Sequence, residues 1–518
     1  MDDQGHYDIV IIGTGAGGGT MAHALAGTSA RVLILERGDF IPQEEENWNP
    51  EAVWIDRRYQ TKERWINGNG QEFAPYTHYC VGGNTKFWGS VLYRLRRADF
   101  EETPHVDGVS PAWPNDYDTL RPYYDRAERL FQVRGDHLID PTEPPRDPFP
   151  FPAVPHSERM AEIVEQLKAD GLTPSPLPLG LLRPNEPGGC VLCDTCNSYS
   201  CKLHAKSDAD ICCIRPIDSA QVTLWTNAEA LTLETDGPGR KVTAVTVRRN
   251  GHVSRVEASL VVVACGAVNS AALLLRSANA AHKHGLANSS GLVGRRYMAH
   301  LTTMISAWHL RKNQIEGGQK FQKTVAINDY YLAGRMPYPL GHIQSQGRIH
   351  AAMIRGGAPA EYRHKVRLAH GLRLLERWTS RSVEWLAMTE DLPDQDNRIT
   401  IEGGRIRLQY CPNNVTAHKR LVEETSGMLR RLGFKSIKPI SFATTNTTHQ
   451  CGTLSFGTDP RTSVLDPWCR THDVENLFVV DASFFPSSAA VNPGLTIVAQ
   501  ALRVADHIGE THLRQRGT

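Results

Sequence analysis

Three glycines and four cysteines have the spacing that points most directly to chemistry. Gly13, Gly15 and Gly18 form a G-x-G-x-x-G turn between a β-branched run at residues 8–12 and an Ala- and Leu-rich segment. Such a turn brings backbone N–H groups and a helix N-terminus against a pyrophosphate. The turn therefore predicts dinucleotide binding near the start of the chain, although by itself it does not separate FAD from NAD(P).

The cysteines Cys190, Cys193, Cys196 and Cys201 follow the pattern C-x2-C-x2-C-x4-C. The ferredoxin run differs, because its fourth cysteine comes one residue earlier and precedes proline. An iron–sulfur cluster, a zinc ion, free thiols and a local disulfide are all compatible with this pattern. We favour thiols or a disulfide and predict no metal.

Strands and helices at three separated places are expected to position the glycine turn. Residues 31–35 predict the second strand, and Glu36 at its end is placed to accept hydrogen bonds from a ribose diol. Residues 222–275 contain a hairpin signal at Asn250-Gly251 and then a second strand, glycine turn and helix. Residues 476–508 again predict a strand, a turn and a helix, in that order. The nucleotide domain is therefore predicted to be discontinuous.

Size and composition indicate a multidomain globular protein. The 518 residues are too many for one core. The 57 Lys and Arg against 56 Asp and Glu give no general attraction to nucleic acid or anionic membranes. No stretch approaches the roughly 20 apolar residues of a membrane span. The acidic start reaches its first strand within a few residues, without room for a secretory signal, and the cysteines number 11, an odd count. A cytoplasmic location is expected.

Four segments together resemble the glucose-methanol-choline (GMC) oxidoreductases, which are FAD enzymes. They are GTGAGGG at the start, GGNTKFWG, HQCGT from His449, and VVDASFFPSSAAVNPGLTIVAQALRVAD near the end. Within that family the chain is most similar to bacterial pyranose oxidases and glycoside 3-oxidases. The resemblance implies FAD, held noncovalently, because Phe87 occupies the position where some members carry a flavin-linked histidine.

The resemblance also implies an α/β fold, with a discontinuous Rossmann-like FAD-binding domain and an α+β substrate-binding domain that contains an antiparallel sheet. The expected boundaries are 1–100, 205–300 and 441–518 for the first, with 101–204 and 301–440 for the second. The residues expected to hold FAD are Gly13, Gly15, Ala16, Gly17, Gly18, Glu36, Arg37, Gly82, Gly83, Asn84, Thr85, Trp88, Ala228, Asp481, Ala482, Asn492 and Thr496.

The implied reaction oxidises a secondary ring hydroxyl, at C3 or C2, of a pyranose or glycoside. His449 is the expected base, Asn492 the hydrogen-bond donor to the substrate oxygen, and the flavin the hydride acceptor. O2 would reoxidise the flavin. One alternative is a dehydrogenase subunit that passes electrons to a quinone, cytochrome or iron–sulfur acceptor. Another is a flavin-binding partner protein without turnover.

Further polar residues are candidates for the substrate side but are not assigned to catalysis. Gln344, Gln346, His418 and residues 321–331 could face a sugar, and each could equally be a surface or structural residue. For the basic stretch 362–381, the sequence favours a solvated helix face over a surface that binds a membrane or a partner. The oligomeric state stays open.

Overall fold

A seven-stranded sheet carries the glycine turn in the computed structural model, which describes residues 5–308, 321–357, 374–377 and 379–513. Five of its strands run parallel, and across the sheet they are Val222–Trp225, Val32–Leu35, Tyr7–Ile12, His252–Val263 and Leu477–Val479. Numbered along the chain this order is 3-2-1-4-5, which is the Rossmann arrangement. The predicted α/β class is therefore confirmed.

The hairpin predicted at Asn250-Gly251 extends this sheet. The first half of His252–Val263 pairs with Val242–Arg249, which in turn pairs with Ala228–Thr235, both antiparallel. Asn250 and Gly251 have φ angles of 50° and 85°, as a two-residue turn of type I′ requires.

Two helices begin directly after the carboxyl ends of parallel strands. Ala16–Leu25 follows the glycine turn and lies against Gly494–Ile508, while Ala267–Arg276 begins directly after Gly266. The remaining described helices are Pro50–Trp54, Tyr117–Leu130, Glu158–Ala169, Ala351–Gly357 and Val415–Arg431, with short helical turns at Glu45–Trp48, Gly83–Lys86, Arg97–Phe100, Asp210–Ile214, Ala482–Phe484 and Gly509–Leu513.

A second, six-stranded sheet is antiparallel throughout, as predicted for the substrate side. Its order is Ser436–Ser441, Leu301–Trp308, Ser382–Thr389, His342–Ser345, Val325–Ile327 and Pro174–Pro176. Trp385 and Ile305 of this sheet form a separate apolar core with Leu421 and Met428 of helix Val415–Arg431. The seven-stranded and the six-stranded sheet therefore each pack against an apolar core of their own.

Three small sheets complete the described strands. They are Arg398–Glu402, Arg405–Gln409, Trp65–Asn67 and Glu72–Phe73; Leu179–Gly180, Val133–Gly135 and Phe151–Pro152; and Thr103–His105 with Gly108–Ser110. In the described residues no helix is both long and apolar enough to cross a bilayer. Most of the basic stretch 362–381 lies outside the described residues. The domain boundaries remain a proposal.

The segment after Gly82-Gly83 forms neither a long helix nor a strand. The short helical turn Gly83–Lys86 leads into irregular backbone. Its polar groups find other partners, since Leu92 N–H donates to Pro178 and the Ser90 carbonyl accepts from Gly180. Buried irregular backbone is stable when its hydrogen bonds are made elsewhere in this way.

Candidate active site

The glycines of the first turn lie close against backbone, which for Gly13 and Gly17 comes from distant parts of the chain. A Cβ on Gly17 would lie 2.1 Å from the Val480 carbonyl oxygen, and one on Gly18 would lie 2.0 Å from that of Gly13. Gly13 itself has a φ of 103° and lies against the Ala264 carbonyl. The absence of side chains here lets the helix pack directly onto the ends of two strands.

Gly15 faces open space instead. A Cβ there would meet no atom within 4 Å, and Gly83 lies beside it, since a Cβ on Gly83 would be 3.3 Å from the Gly15 Cα. Gly82 N–H donates to the Thr14 hydroxyl over 3.0 Å. The two glycine segments therefore form one open surface at the N-terminus of helix Ala16–Leu25. This surface fits the pyrophosphate of a dinucleotide.

Glu36 ends the second strand beside this surface, and most of its acceptor capacity is already used. It accepts from the Thr14 hydroxyl at 2.5 Å, from Thr14 N–H at 3.2 Å and from Gly38 N–H at 3.0 Å. Burial raises the pKa of Glu36. A carboxylate has about four acceptor positions. Glu36 thus holds the glycine turn in place.

Arg37 and Ala228 lie next to Glu36. The Arg37 guanidinium covers the Tyr79 ring, 4.1 Å from its centroid, and pairs with Glu63 at 3.2 Å. Ala228 N–H donates to the Glu36 carbonyl at 2.8 Å. These contacts place both residues at the end of the second strand, where the adenosine half was expected.

The Asp481 carboxylate ties its own segment to the start of helix Ala267–Arg276. It accepts from Gly266 N–H at 3.0 Å and Ser483 N–H at 2.9 Å, and also from the Ser270 hydroxyl. Burial raises the pKa of Asp481. The next residue, Ala482, accepts a hydrogen bond from Gly452 N–H at 3.1 Å. The loop that carries His449 is thereby fixed along the end of the last parallel strand.

The GGNTKFWG segment reaches the VNPG segment through Trp88. Its indole N–H donates to the Ser207 carbonyl at 3.0 Å, and its ring lies so close to Gly494 that a Cβ there would be 2.6 Å from it. Asn84 is exposed, whereas the Thr85 hydroxyl is buried and bonded to the Gly82 carbonyl. Thr496, in the helix after VNPG, instead pairs its hydroxyl with Tyr124 at 2.8 Å.

His449 is paired with a second histidine that the sequence did not single out. Its Nδ1 lies 2.9 Å from Nδ1 of His300, whose Nε2 lies 3.2 Å from the Ser488 carbonyl oxygen. His449 has a φ of 55°, an uncommon conformation for a residue with a side chain. Burial, and then His300, lower the pKa of His449 to about 3. The ring is therefore neutral at physiological pH.

Asn492 lies four residues beyond Ser488 and precedes helix Gly494–Ile508. Its side-chain oxygen is buried and has no partner in the described part of the chain. An unpartnered buried amide oxygen calls for an explanation, and a ligand bound beside it would supply one. His300 thus joins the His449 loop to the segment that carries Asn492.

The other polar candidates have structural partners. His418 lies between two hydroxyls of the six-stranded sheet, Thr303 at 2.7 Å and Thr389 at 3.0 Å. Gln344 contacts His342 at 3.1 Å, and Gln346 accepts a hydrogen bond from Asn197. His418 therefore stabilises the six-stranded sheet, which agrees with the alternative that it is a structural residue.

The four clustered cysteines carry free thiols. Burial, and then the neighbouring Cys196, raise the pKa of Cys190 to about 12. Two buried lysines lie beside the cluster: Lys206 donates to the Cys196 carbonyl at 3.3 Å, and Lys323 to Asn197 at 2.7 Å. Across the described residues, no three His, Cys, Asp or Glu side chains are arranged to hold a metal ion.

Comparison with known families decides the class of this site. The N-terminal GMC oxidoreductase model matches residues 7–302, and the C-terminal GMC oxidoreductase model matches residues 366–501. The chain belongs to the GMC oxidoreductase family. It is thereby a flavoprotein oxidoreductase whose cofactor is FAD.

Individual relatives cover nearly the whole chain. Paromamine 6'-oxidase of Streptomyces fradiae is 32% identical over 97% of this chain and 91% of its own length. The fructose dehydrogenase large subunit of Gluconobacter japonicus is 27% identical, covering 97% of both chains. The solved structure of pyridoxine 4-oxidase from Mesorbium loti superposes with a TM-score of 0.67 at 19% identity, over 98% of this chain and 100% of that one. That structure shares the fold.

We expect the rate of flavin reduction by substrate in this GMC oxidoreductase to be nearly independent of pH between about 5 and 8. His449 must be unprotonated to accept a proton, and its pKa of about 3 keeps it so until the pH falls towards that value. Stopped-flow measurements across this range test the expectation, with circular dichroism to confirm folding at each pH. An acidic limb centred near pH 6 to 7 would contradict it.

Proposed function

We propose that this protein oxidises a hydroxyl of a pyranose or glycoside to a carbonyl, with a secondary ring hydroxyl at C3 or C2 as the first candidate. The observation that carries the proposal is the neutral His449 imidazole, bonded to His300 and joined through Ser488 to the Asn492 segment. A neutral imidazole is a suitable acceptor for the proton of an alcohol.

The protein's own groups have distinct tasks in this proposal. His449 accepts the hydroxyl proton, and the side-chain NH2 of Asn492 donates a hydrogen bond that orients the substrate oxygen. The surface at Gly15 and Gly83 holds the pyrophosphate of FAD, so that the cofactor is fixed before substrate arrives. When bound, FAD supplies the hydride acceptor.

Anaerobic stopped-flow spectroscopy across a panel of sugars, amino sugars and glycosides tests the proposal. We expect at least one of them to bleach the flavin absorbance within seconds. Failure of every sugar and glycoside, with the flavin still reduced by dithionite, would overturn the substrate class. It would also favour the alternative hypothesis that the chain is a flavin-binding partner protein without turnover.

A relative supports a second candidate position. The name paromamine 6'-oxidase describes oxidation of an amino sugar at its 6' position, and C6 of a hexopyranose carries an exocyclic primary alcohol. Product analysis separates the two candidates. A ring ketone supports C3 or C2, whereas an aldehyde, detected by NMR or hydrazine capture, supports the 6' position.

The electron acceptor defines the alternative activity. The likeness to a fructose dehydrogenase large subunit favours a dehydrogenase, whereas O2 would make the protein an oxidase. Hydrogen peroxide formed in air, in step with sugar oxidation, supports the oxidase. Dye reduction without oxygen consumption supports the dehydrogenase, and iron and acid-labile sulfide analysis of anaerobically purified protein then tests Cys190, Cys193, Cys196 and Cys201 as ligands.

We also propose that the FAD is noncovalent. Phe87 has no nucleophilic atom, and its ring stacks on His78 with 3.8 Å between centroids. Acid precipitation of the yellow protein is therefore expected to release essentially all flavin absorbance into the supernatant. Flavin retained in the washed pellet would contradict noncovalent binding.

A cytoplasmic location belongs to the same proposal. All eleven cysteines carry free thiols, which suits a reducing compartment. Cell fractionation with the native protein tests this directly.

A further inference from the structure

His300 lies between the proposed base and a fixed backbone carbonyl. It is 8% exposed, and its ring meets the His449 ring at 78° with 4.9 Å between centroids. The His300 Nδ1 to His449 Nδ1 distance is 2.9 Å, and the His300 Nε2 to Ser488 O distance is 3.2 Å. Both ring nitrogens of His300 are therefore engaged.

The hydrogen positions follow from what each partner can do. The Ser488 carbonyl only accepts, so His300 must carry its hydrogen on Nε2. Burial lowers the pKa of His300, so the ring is neutral and has only one N–H. Its Nδ1 must then accept, and the hydrogen between the rings belongs to Nδ1 of His449. The His449 Nε2 is left with a free lone pair.

We propose that His300 is the positioning residue that fixes His449 in its Nδ1–H tautomer, so that Nε2 is the proton-accepting atom. This inference rests on the proposed function only in taking His449 as the base. With the opposite tautomer, Nε2 would carry a hydrogen and could not take a proton from an alcohol. The His300 Nδ1 lone pair also stabilises the imidazolium that forms when Nε2 is protonated, because His449 keeps donating to it.

The surroundings hold His300 from both sides. The Asp391 carboxylate accepts from Ala299 N–H at 3.0 Å, and the Asp391 backbone N–H and carbonyl both bond the Ser488 hydroxyl, at 3.1 and 3.0 Å. Ala489, which follows the accepting carbonyl, has a φ of 53°. The Ser488 carbonyl is thus held in place by its neighbours and by a backbone conformation uncommon for alanine.

NMR of holoenzyme labelled with 15N-histidine tests the tautomer without any need for turnover. The His449 signals are assigned by their loss in His449→Ala. We expect the hydrogen on Nδ1. A hydrogen on Nε2 would overturn the inference even if the protein proves an active sugar oxidase. Conversely, an Nδ1–H signal in a protein that no sugar reduces would leave the inference standing and overturn the proposed function.

A matched pair of variants tests the catalytic consequence. His300→Leu removes the acceptor and is expected to slow flavin reduction by about 10- to 100-fold, less than the roughly 10⁴-fold lost when a triad carboxylate is neutralised. His300→Asn keeps an acceptor oxygen near the position of Nδ1 and is expected to recover most of the rate. The His300→Leu/His449→Ala double variant should be no slower than His449→Ala, because His300 acts only through His449. If the rate losses of the two substitutions multiply in the double variant, His300 does not act through His449. If a folded His300→Asn does not recover the rate of flavin reduction, His300 is not the positioning residue.

Discussion

Replacing His449 by alanine is expected to leave a yellow, folded protein whose flavin is reduced by substrate about 10²- to 10⁴-fold more slowly. A positioned general base contributes a factor of this size, and His449 is the histidine that the structure joins, through His300 and Ser488, to the Asn492 segment. The measurement is the rate constant of flavin bleaching under anaerobic single-turnover conditions, at saturating substrate.

His252→Ala is the matched control, because His252 is exposed at the hairpin of the seven-stranded sheet. It should reduce its flavin at the parent rate. If His449→Ala were also to react at the parent rate, with the same flavin spectrum, His449 would not be the base. A loss of bound FAD in His449→Ala would instead point to a structural role for the ring.

Two single-methyl additions in the glycine turn are expected to have opposite effects. Gly17→Ala places a Cβ 2.1 Å from the Val480 carbonyl oxygen, so backbone must move, and the free energy of unfolding should fall by about 3 kcal/mol. Gly15→Ala meets no protein atom within 4 Å and has a φ of −68°. The apoprotein should therefore be as stable as the parent, while its Kd for FAD rises at least about tenfold, or 1.4 kcal/mol.

Gly27→Ala provides the control for Gly15→Ala. Its Cβ also meets nothing within 4 Å, but it lies beyond the helix, away from the open surface. It should change neither thermal unfolding of the apoprotein nor the FAD titration. Unaltered FAD affinity in Gly15→Ala would mean that the pyrophosphate does not lie against Gly15, and normal unfolding of Gly17→Ala would contradict the close packing at Val480.

The parts of the fold that could be predicted are those determined by residues close together in the sequence. The buried β-branched run before Gly13 became Tyr7–Ile12, and the Asn250-Gly251 turn joined two strands as expected. In each case the residues that determine the conformation are neighbours in sequence, so periodicity and turn chemistry suffice.

The site was less predictable, because its details depend on contacts between distant residues. His300 lies in YMAHLTT, a context with no motif, and gains its importance only from His449, 149 positions later. Glu36 and Asp481 follow the strands Val32–Leu35 and Leu477–Val479, but nothing local in the sequence shows how many of their acceptor positions are already used within the protein. Their roles towards FAD stay predictions.

The contact between Gly17 and the Val480 carbonyl has a consequence for biosynthesis. The first helix can dock onto the last parallel strand only after that strand has left the ribosome, which takes roughly 25 to 90 s at 5 to 20 residues per second. Until then the first helix lacks its contact with Val480, and His252–Val263 lacks a neighbour on the side where Leu477–Val479 will pair. Delayed long-range pairing of this kind is slow and exposes the nascent chain to aggregation. Yield in a cell should therefore depend on chaperones that protect these segments until translation is nearly complete.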